Sequence, residues 1–231
     1  KVSTVIEANA LHVDKRILDV TCPIETEMQA WLDIPIGHIE GDMLIKDPLK
    51  ARIKDNAFVE FINNVQMDAA KVDISNTAIF DNKCKGFNYK VTMRDIISNY
   101  KYPNTLKVIR IKGSDIKAAL ERTAEYFSLV DGEVELAKNG NYLKLQHYNY
   151  DMWEGIDYVI DITKPINFRI TKINYKNSPL NMEGEYDVVM NNYRAGGGGN
   201  YLMFRGKQVI KDIPIDMAEL IANYILERKT I

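Results

Sequence analysis

Apolar residues recur along the chain at two spacings, one typical of helices and the other of strands. Phe58, Phe61, Ile62 and Val65 lie three or four positions apart, which predicts an amphipathic helix over 56–70. Elsewhere apolar runs or alternating apolar and polar residues predict strands. Together these patterns predict helices over 24–31, 56–70, 92–99, 115–127 and 214–227 and strands over 72–80, 105–112, 157–162, 168–175 and 186–190.

The order of these elements indicates the fold class. Helices and strands are mixed without a regular strand–helix–strand alternation, which favours an α+β fold with mixed or antiparallel sheets and packed helices. Residues 1–35 are predicted to be a lead-in segment, in which Pro23 interrupts the helical pattern. Residues 36–231 are expected to form the main domain, with a hairpin turn at Asn139 and Gly140.

Composition and charge exclude some classes of function. The 231 residues are 46% hydrophobic and carry a net charge of −2, so nothing favours general binding to nucleic acid or to a membrane surface. No apolar run approaches the ~18–20 residues of a membrane-spanning helix. Cys22 and Cys84 could form one disulfide, but two buried free thiols are the favoured interpretation. Because Lys1 rather than methionine opens the sequence, we expect a piece of a longer protein.

The common signatures of catalysis are missing from the sequence. No two of its three histidines are close together, and no metal-binding, nucleophile-elbow or P-loop motif is present. Asp151 and Glu154 could act as scattered catalytic carboxylates, but such side chains in loops are usually only solvated. The residues alone therefore indicate a binding domain without its own reaction centre, and they do not favour a self-sufficient hydrolase.

Two stretches combine an aromatic residue with a break in regular structure. Tyr193 and Arg194 follow a predicted strand and precede four consecutive glycines, which permit close approach of a ligand to the backbone. A flexible surface loop beside a core tyrosine explains this stretch equally well.

Tyr102 and Asn104 flank Pro103, which ends the preceding helix. Without further information, a core tyrosine and a turn asparagine are the favoured interpretation there.

These stretches, taken together, resemble the 5′-nucleotidase C-terminal domain family. The resemblance spans roughly residues 56–227 and is closest to the 2′,3′-cyclic-nucleotide 2′-phosphodiesterase/3′-nucleotidase branch, because relatives of the 5′-nucleotidase branch tend to have Phe-Gly-Asn where this chain has Tyr-Pro-Asn. The motifs are, in chain order, Tyr-Pro-Asn-Thr-Leu at 102–106, Gly-Ser-Asp-Ile at 113–116, Tyr-Asn-Tyr-Asp at 148–151, and Asn-Asn-Tyr-Arg-Ala at 191–195 followed by Gly-Gly at 197–198.

The resemblance implies a role for each matching residue. Tyr102 and Tyr193 would stack on the two faces of a nucleoside base, and Asn104 would hydrogen-bond the base edge. Gly197 and Gly198 would admit the sugar close to the backbone. Further substrate-binding candidates in the same motifs are Tyr148, Asn149, Asp151, Asn192 and Arg194.

The resemblance also implies a division of labour between two domains. An N-terminal metallophosphatase domain, missing from this sequence, would hold two divalent metal ions and perform the hydrolysis. Residues 1–35 would be the linker or connecting helix from that domain, and residues 36–231 the nucleoside-binding C-terminal domain. This chain would contribute no metal ligand or catalytic residue, and its partners would be nucleotides or nucleosides and that domain. Location outside the cytoplasm (periplasmic, secreted or attached to the cell wall) is expected from the resemblance alone.

One segment departs from the family pattern. Where relatives carry a glycine-rich turn with a basic residue, residues 77–86 lack the doubled glycine. Lys83 or Lys85 could replace the basic residue, and Asn200 is a weak ribose-binding candidate. The alternatives left open are a domain of the 5′-nucleotidase/UDP-sugar hydrolase type and a non-catalytic binding module on the same scaffold.

Overall fold

The computed structural model describes residues 12–137 and 146–231. The predicted turn at Asn139 and Gly140 lies outside these residues. The helices are α1 (Lys15–Leu32), α2 (Lys50–Ile53), α3 (Ala57–Ala70), α4 (Met93–Asn99), α5 (Gly113–Ala124), α6 (Asn192–Ala195) and α7 (Met217–Arg228). The strands are β1 (Pro35–His38), β2 (Met43–Leu44), β3 (Ile74–Ala78), β4 (Gly86–Phe87), β5 (Lys90–Thr92), β6 (Leu106–Lys112), β7 (Phe127–Val130), β8 (Glu133–Leu136), β9 (Asp151–Glu154), β10 (Asp157–Ile160), β11 (Ile170–Tyr175), β12 (Ser178–Pro179), β13 (Glu185–Asn191) and β14 (Gln208–Ile213).

A five-stranded sheet forms the centre of the molecule, with the strand order β14-β6-β13-β3-β9. β3 and β13 are parallel, and the other neighbouring pairs are antiparallel. The smaller sheets are β10-β11-β12 and the pairs β1-β5, β2-β4 and β7-β8. Mixed and antiparallel sheets with packed helices confirm the predicted α+β fold class.

Two apolar clusters cover the two faces of this sheet. One includes Phe61 and Val65 of α3 and Ile221 of α7, and the other includes Ile116 and Leu120 of α5. The helical spacing that predicted α3 therefore matches the face that it buries. Its boundaries follow from local chemistry, because the Asn56 side chain accepts a hydrogen bond from the Phe58 amide and Lys71 ends the helix in the left-handed conformation.

Two predictions about helix boundaries were wrong. α1 runs without interruption through Pro23, and none of its residues is buried, so water can solvate the carbonyl that proline leaves unpaired. α5 begins after Lys112 rather than after Ser114, and it ends at Ala124, before Phe127 opens the β7-β8 hairpin. Phe127 has the helical spacing of Ile116 and Leu120 by coincidence, because it is the first residue of strand β7.

Other features were not predicted or were only partly correct. Strand β14 was missed because most of its residues are exposed and its register contains a bulge, so its sequence lacks a buried face. Both cysteines are free, as favoured, but Cys22 is exposed on α1 and only Cys84 is buried. No helix of the described residues is both long and apolar enough to cross a membrane.

Candidate functional site

One edge of the central sheet collects the segments that the sequence singled out. Asn191, the last residue of β13, pairs with Leu106, the first of β6, and Ala78 at the end of β3 pairs with Asp151 at the start of β9. The loops that follow or precede these strand ends therefore lie side by side at this edge of the sheet. The Asn192 amide donates to the Thr105 carbonyl oxygen at 2.8 Å, which joins two of these loops directly.

Tyr102 is presented at this edge rather than buried in the core. Its side chain is 40% exposed, and its ring packs edge-on against Phe80, with centroids 5.1 Å apart. The Asn104 amide donates to the Tyr102 carbonyl, and the Asn104 carbonyl accepts from the amide of Met217 at the start of α7. The backbone around both predicted residues is thus held in place while the tyrosine ring keeps accessible surface.

Tyr193 lies at the same edge and is 50% exposed. Gly198 packs against one face of its ring, since a Cβ atom at position 198 would come within 2.7 Å of three ring atoms. Tyr148 supports the ring from the side, with the two centroids 6.4 Å apart and an interplanar angle of 71°. The glycine at 198 and the neighbouring tyrosine therefore determine the position of the Tyr193 ring, while Asn192 beside it is exposed.

Replacing Gly198 by alanine is expected to displace the Tyr193 ring. Because the backbone at Gly198 is not in the left-handed region, the main cost is the clash with the ring. The resemblance implies nucleoside binding at Tyr193, and on that expectation Gly198→Ala should weaken adenosine binding, measured by calorimetry, with little change in melting temperature. Gly196→Ala is the matched control, since its Cβ would meet only ordinary contacts at 3.6 Å. Equal effects of the two substitutions on affinity would contradict this role of Gly198.

Beneath the glycine loop lies a buried arginine. The Arg194 side chain is 2% exposed and forms a bidentate ion pair with Asp151, with Nε–Oδ2 and Nη2–Oδ1 distances of 2.8 and 2.9 Å. Arg194 Nη2 also donates to the Tyr148 carbonyl at 2.7 Å, and Nη1 donates to the Gly198 carbonyl. One guanidinium group thus joins the glycine loop, the 148–149 turn and the start of β9.

The burial of three predicted contact residues does not favour direct substrate binding by them. Asp151 and Arg194 neutralise each other, and Asn149 is also buried, with its carbonyl oxygen bonded to the Tyr201 hydroxyl. A Cβ atom at Gly199 would come within 1.9 Å of the Asn149 side chain, so the loop packs directly on it. We therefore assign Asn149, Asp151 and Arg194 to the support of the edge rather than to its surface.

Sequence reasoning missed Arg52, a buried cation near the same edge. Its guanidinium donates to the carbonyl of Ile79, just after β3, and to the side chain of Asn82, and no described carboxylate forms an ion pair with it. Burial lowers the pKa of Arg52. The one available signal was an arginine between the apolar residues Ala51 and Ile53. The predicted alternatives Lys83 and Lys85 are both exposed.

Comparison with known proteins decides the family. The model of the 5′-nucleotidase C-terminal domain family matches residues 35–206. The chain belongs to this family. A structure from Staphylococcus aureus, described as a 5′-nucleotidase in complex with α-ketoglutarate, superposes with a TM-score of 0.86 at 33% identity, covering 96% of this chain and 42% of that one.

Curated relatives of this 5′-nucleotidase C-terminal domain are longer proteins. The chain is 26% identical over 98% of its length to the trifunctional nucleotide phosphoesterase protein YfkN of Bacillus subtilis, of which it covers 18%. It is 28% identical over 92% of its length to a Haemophilus influenzae 2′,3′-cyclic-nucleotide 2′-phosphodiesterase/3′-nucleotidase, of which it covers 37%. The chain thus spans less than half of either relative.

The described part of this nucleotidase domain offers no ligand set for a metal ion. Among residues 12–137 and 146–231, no three histidine, cysteine, aspartate or glutamate side chains converge in a way that could hold one. The resemblance implies two divalent ions in a preceding domain and assigns no metal ligand to this chain.

Glu154, one of the carboxylates considered for catalysis, lies at the far end of β9 from the candidate edge. It is half-buried, and its hydrogen-bond donor is the amide of Gly155 at 3.3 Å. Burial raises the pKa of Glu154 above its ordinary value of 4.5, and the negative charges of Glu60, Asp55 and Asp157 raise the pKa further. Folding therefore favours the protonated form of this side chain.

Glu154→Gln is expected to stabilise the protein at neutral pH. Because the folded-state pKa is raised, the stability contributed by protonated Glu154 is fully present below pH 4.5 and is lost as the pH rises through the folded-state pKa. In thermal melts from pH 4 to 8, the melting temperature of the variant should increase relative to that of wild type as the pH rises. The control Glu40→Gln alters an exposed carboxylate elsewhere. Parallel wild-type and Glu154→Gln curves would contradict the expectation.

Proposed function

We propose that this chain is the nucleoside-binding domain of a phosphoric-ester hydrolase that acts on 2′,3′-cyclic and 3′-nucleotides. The observation that carries the proposal is the shared edge, where two half-exposed tyrosines, Tyr102 and Tyr193, lie on loops joined by the Asn192–Thr105 hydrogen bond. Family membership supports a role in nucleotide processing, and the Haemophilus influenzae relative supports the choice of this branch.

In the proposed complex the base lies between the rings of Tyr102 and Tyr193. Stacking on each ring contributes ~1–3 kcal/mol and tolerates every base, because every base has a π-face. A base between two rings requires them to be roughly 7 Å apart, two ring-stacking distances. Asn104 would bond the base edge. Tyr148 and Gly198 act indirectly by holding the Tyr193 ring.

Hydrolysis is proposed for the whole protein, with the reaction centre in a preceding metallophosphatase domain. The chain would position the nucleotide, and domain closure would convert binding energy into alignment of the phosphate. Arg52 is the buried cation that we propose to help position the nucleotide. Its partners Ile79 and Asn82 lie next to Phe80 in the sequence, and Tyr102 packs on Phe80. We place the protein outside the cytoplasm on the resemblance; a structural neighbour from Thermus thermophilus is described as a 5′-nucleotidase precursor.

A titration of the chain followed by amide chemical shifts tests the proposal. Two stacking contacts of ~1–3 kcal/mol each sum to ~2–6 kcal/mol, which corresponds to dissociation constants from about tens of millimolar to tens of micromolar. Adenosine, 3′-AMP and 2′,3′-cyclic AMP should shift amides near residues 102 and 193, whereas ribose 5-phosphate, which lacks a base, should not. Equal responses to adenosine and ribose 5-phosphate, or shifts confined to other surfaces, would overturn it. Tighter binding of 5′-AMP than of 3′-AMP would favour the 5′-nucleotidase alternative.

A further inference from the structure

Residues 77–86, which lack the doubled glycine of the family pattern, place an aromatic ring behind Tyr102. Phe80 follows β3 and is buried. Its ring packs in an edge-on arrangement with two tyrosine rings, at 5.1 Å and 79° from Tyr102 and at 4.8 Å and 84° from the buried Tyr100. Such contacts stabilise one relative orientation of two rings. A glycine at position 80 would leave the Tyr102 ring without this support.

The backbone on both sides of Phe80 is fixed by hydrogen bonds. The carbonyl oxygen of Ile79 accepts from the buried guanidinium of Arg52 at 2.9 Å. On the other side, the Asp81 carboxylate accepts from the amide of Lys83 at 2.8 Å, which closes the turn that follows. Phe80 therefore presents its ring to Tyr102 from a fixed position.

A second contact joins the same segment to the Tyr102 loop. The Asp81 carboxylate forms an ion pair with Lys101, the residue before Tyr102. The ammonium group of Lys101 lies 5.7 Å from the centroid of the Tyr102 ring. The tyrosine loop is thus attached to the segment through Asp81 as well as through Phe80.

An ordered ring favours stacking on a base. A side chain that rotates freely must be immobilised on binding, and this cost weakens affinity by about 2- to 12-fold for one side chain. Tyr102 is 40% exposed, so it depends on a few neighbours for a fixed orientation. Phe80 is the buried neighbour that packs directly on its ring.

We propose that Phe80 is a positioning residue, which holds the Tyr102 ring in the orientation that stacks on a nucleoside base. This side of the site is therefore formed before the nucleoside binds. Phe80 does not touch the nucleoside and acts through Tyr102. The inference rests on the proposed function for its ligand, whereas the position of the ring is a property of the free chain.

The first test measures the Tyr102 ring without ligand. In NMR spectra of ring-labelled tyrosine, with Tyr102 assigned by Tyr102→Phe, the wild-type resonances should be displaced by the neighbouring Phe80 ring. Phe80→Leu should move them towards their random-coil values. Phe87→Leu is the matched control, since Phe87 is also buried and packs edge-on against Phe58 instead. It should leave the Tyr102 resonances unchanged.

The second test measures adenosine affinity by calorimetry. Phe80→Leu should weaken binding by about 2- to 12-fold, and Phe87→Leu should not weaken it. In a Tyr102→Ala background, Phe80→Leu should cause no further loss, because its effect is transmitted through the ring. A general disturbance of the fold would weaken binding in both backgrounds. If Phe80→Leu does not fold, Phe80→Met, which fills the buried space with an unbranched side chain, replaces it in both tests.

The outcomes separate this inference from the proposed function. The inference is overturned if replacing Phe80 leaves the Tyr102 resonances as in wild type, or if Phe87→Leu moves them equally. It is also overturned if replacing Phe80 weakens adenosine binding equally with and without Tyr102. If the wild-type chain does not bind adenosine but replacing Phe80 alone alters the Tyr102 resonances, the proposed function fails while the positioning of the ring by Phe80 is supported.

Discussion

Tyr193→Ala is expected to weaken adenosine binding by about 5- to 150-fold, which corresponds to the ~1–3 kcal/mol of one base–aromatic stacking contact. Tyr102→Ala should have an effect of similar size, because its ring is exposed to a similar extent at the same edge. Tyr193→Phe keeps the flat face and should retain most of the affinity. Isothermal titration calorimetry with adenosine measures all three variants.

The control for these variants is Tyr89→Ala, which removes an exposed tyrosine beside β5, away from the candidate edge. It should bind adenosine as wild type does. If Tyr193→Ala and Tyr102→Ala also bind like wild type, the base does not stack between these rings. If Tyr193→Phe loses as much affinity as Tyr193→Ala, the hydroxyl group rather than the aromatic face carries the contact.

Asp151→Asn is expected to destabilise the fold by about 3–5 kcal/mol, because it leaves the buried guanidinium of Arg194 without its counter-charge. For a chain of this size each kcal/mol shifts the melting temperature by roughly 2–4 °C. Circular dichroism melts should therefore show a fall of roughly 6–20 °C. The glycine loop should also loosen, since Arg194 joins it to the start of β9.

Two further variants separate a buried ion pair from a general effect of charge. Replacing both partners, as in Asp151→Leu with Arg194→Met, should cost less than the sum of the two single replacements. Glu183→Gln breaks the exposed pair with Lys112 and should cost at most about 1 kcal/mol. A shift for Asp151→Asn no larger than that for Glu183→Gln would show that the buried pair does not stabilise the fold.

Much of the fold was predictable because its signals are local. The spacing of Phe58, Phe61 and Val65 alone predicts the buried face of α3, and the alternation over 105–112 predicts β6. The candidate residues Tyr102 and Tyr193 were recognisable from motifs at strand ends. Their common location could be expected only through the resemblance, since the pairing of Leu106 with Asn191 joins positions far apart in the sequence.

Other features depended on contacts that no local pattern contains. Pro23 is tolerated within α1 because that helix is exposed, and β14 is a strand because it pairs with β6 despite lacking a buried face. Arg194 appeared to be a contact residue from its place in the motif. Its burial goes with its ion pair to Asp151, which lies at the start of β9 and is distant from Arg194 in the sequence.

The sequence by itself determined the fold class and most of the helices and strands, and it singled out Tyr102 and Tyr193, because periodicity, turn residues and motifs act over a few neighbouring positions. The exposure of both tyrosines was decided by the tertiary structure, since the residues alone favoured a core position for Tyr102. Only the tertiary structure decided which polar residues face the surface and which support it. Burial and charge pairing depend on segments that are distant in the chain. Arg194 is paired with Asp151, and Glu154 lies near Glu60 and Asp55, which line the same cavity.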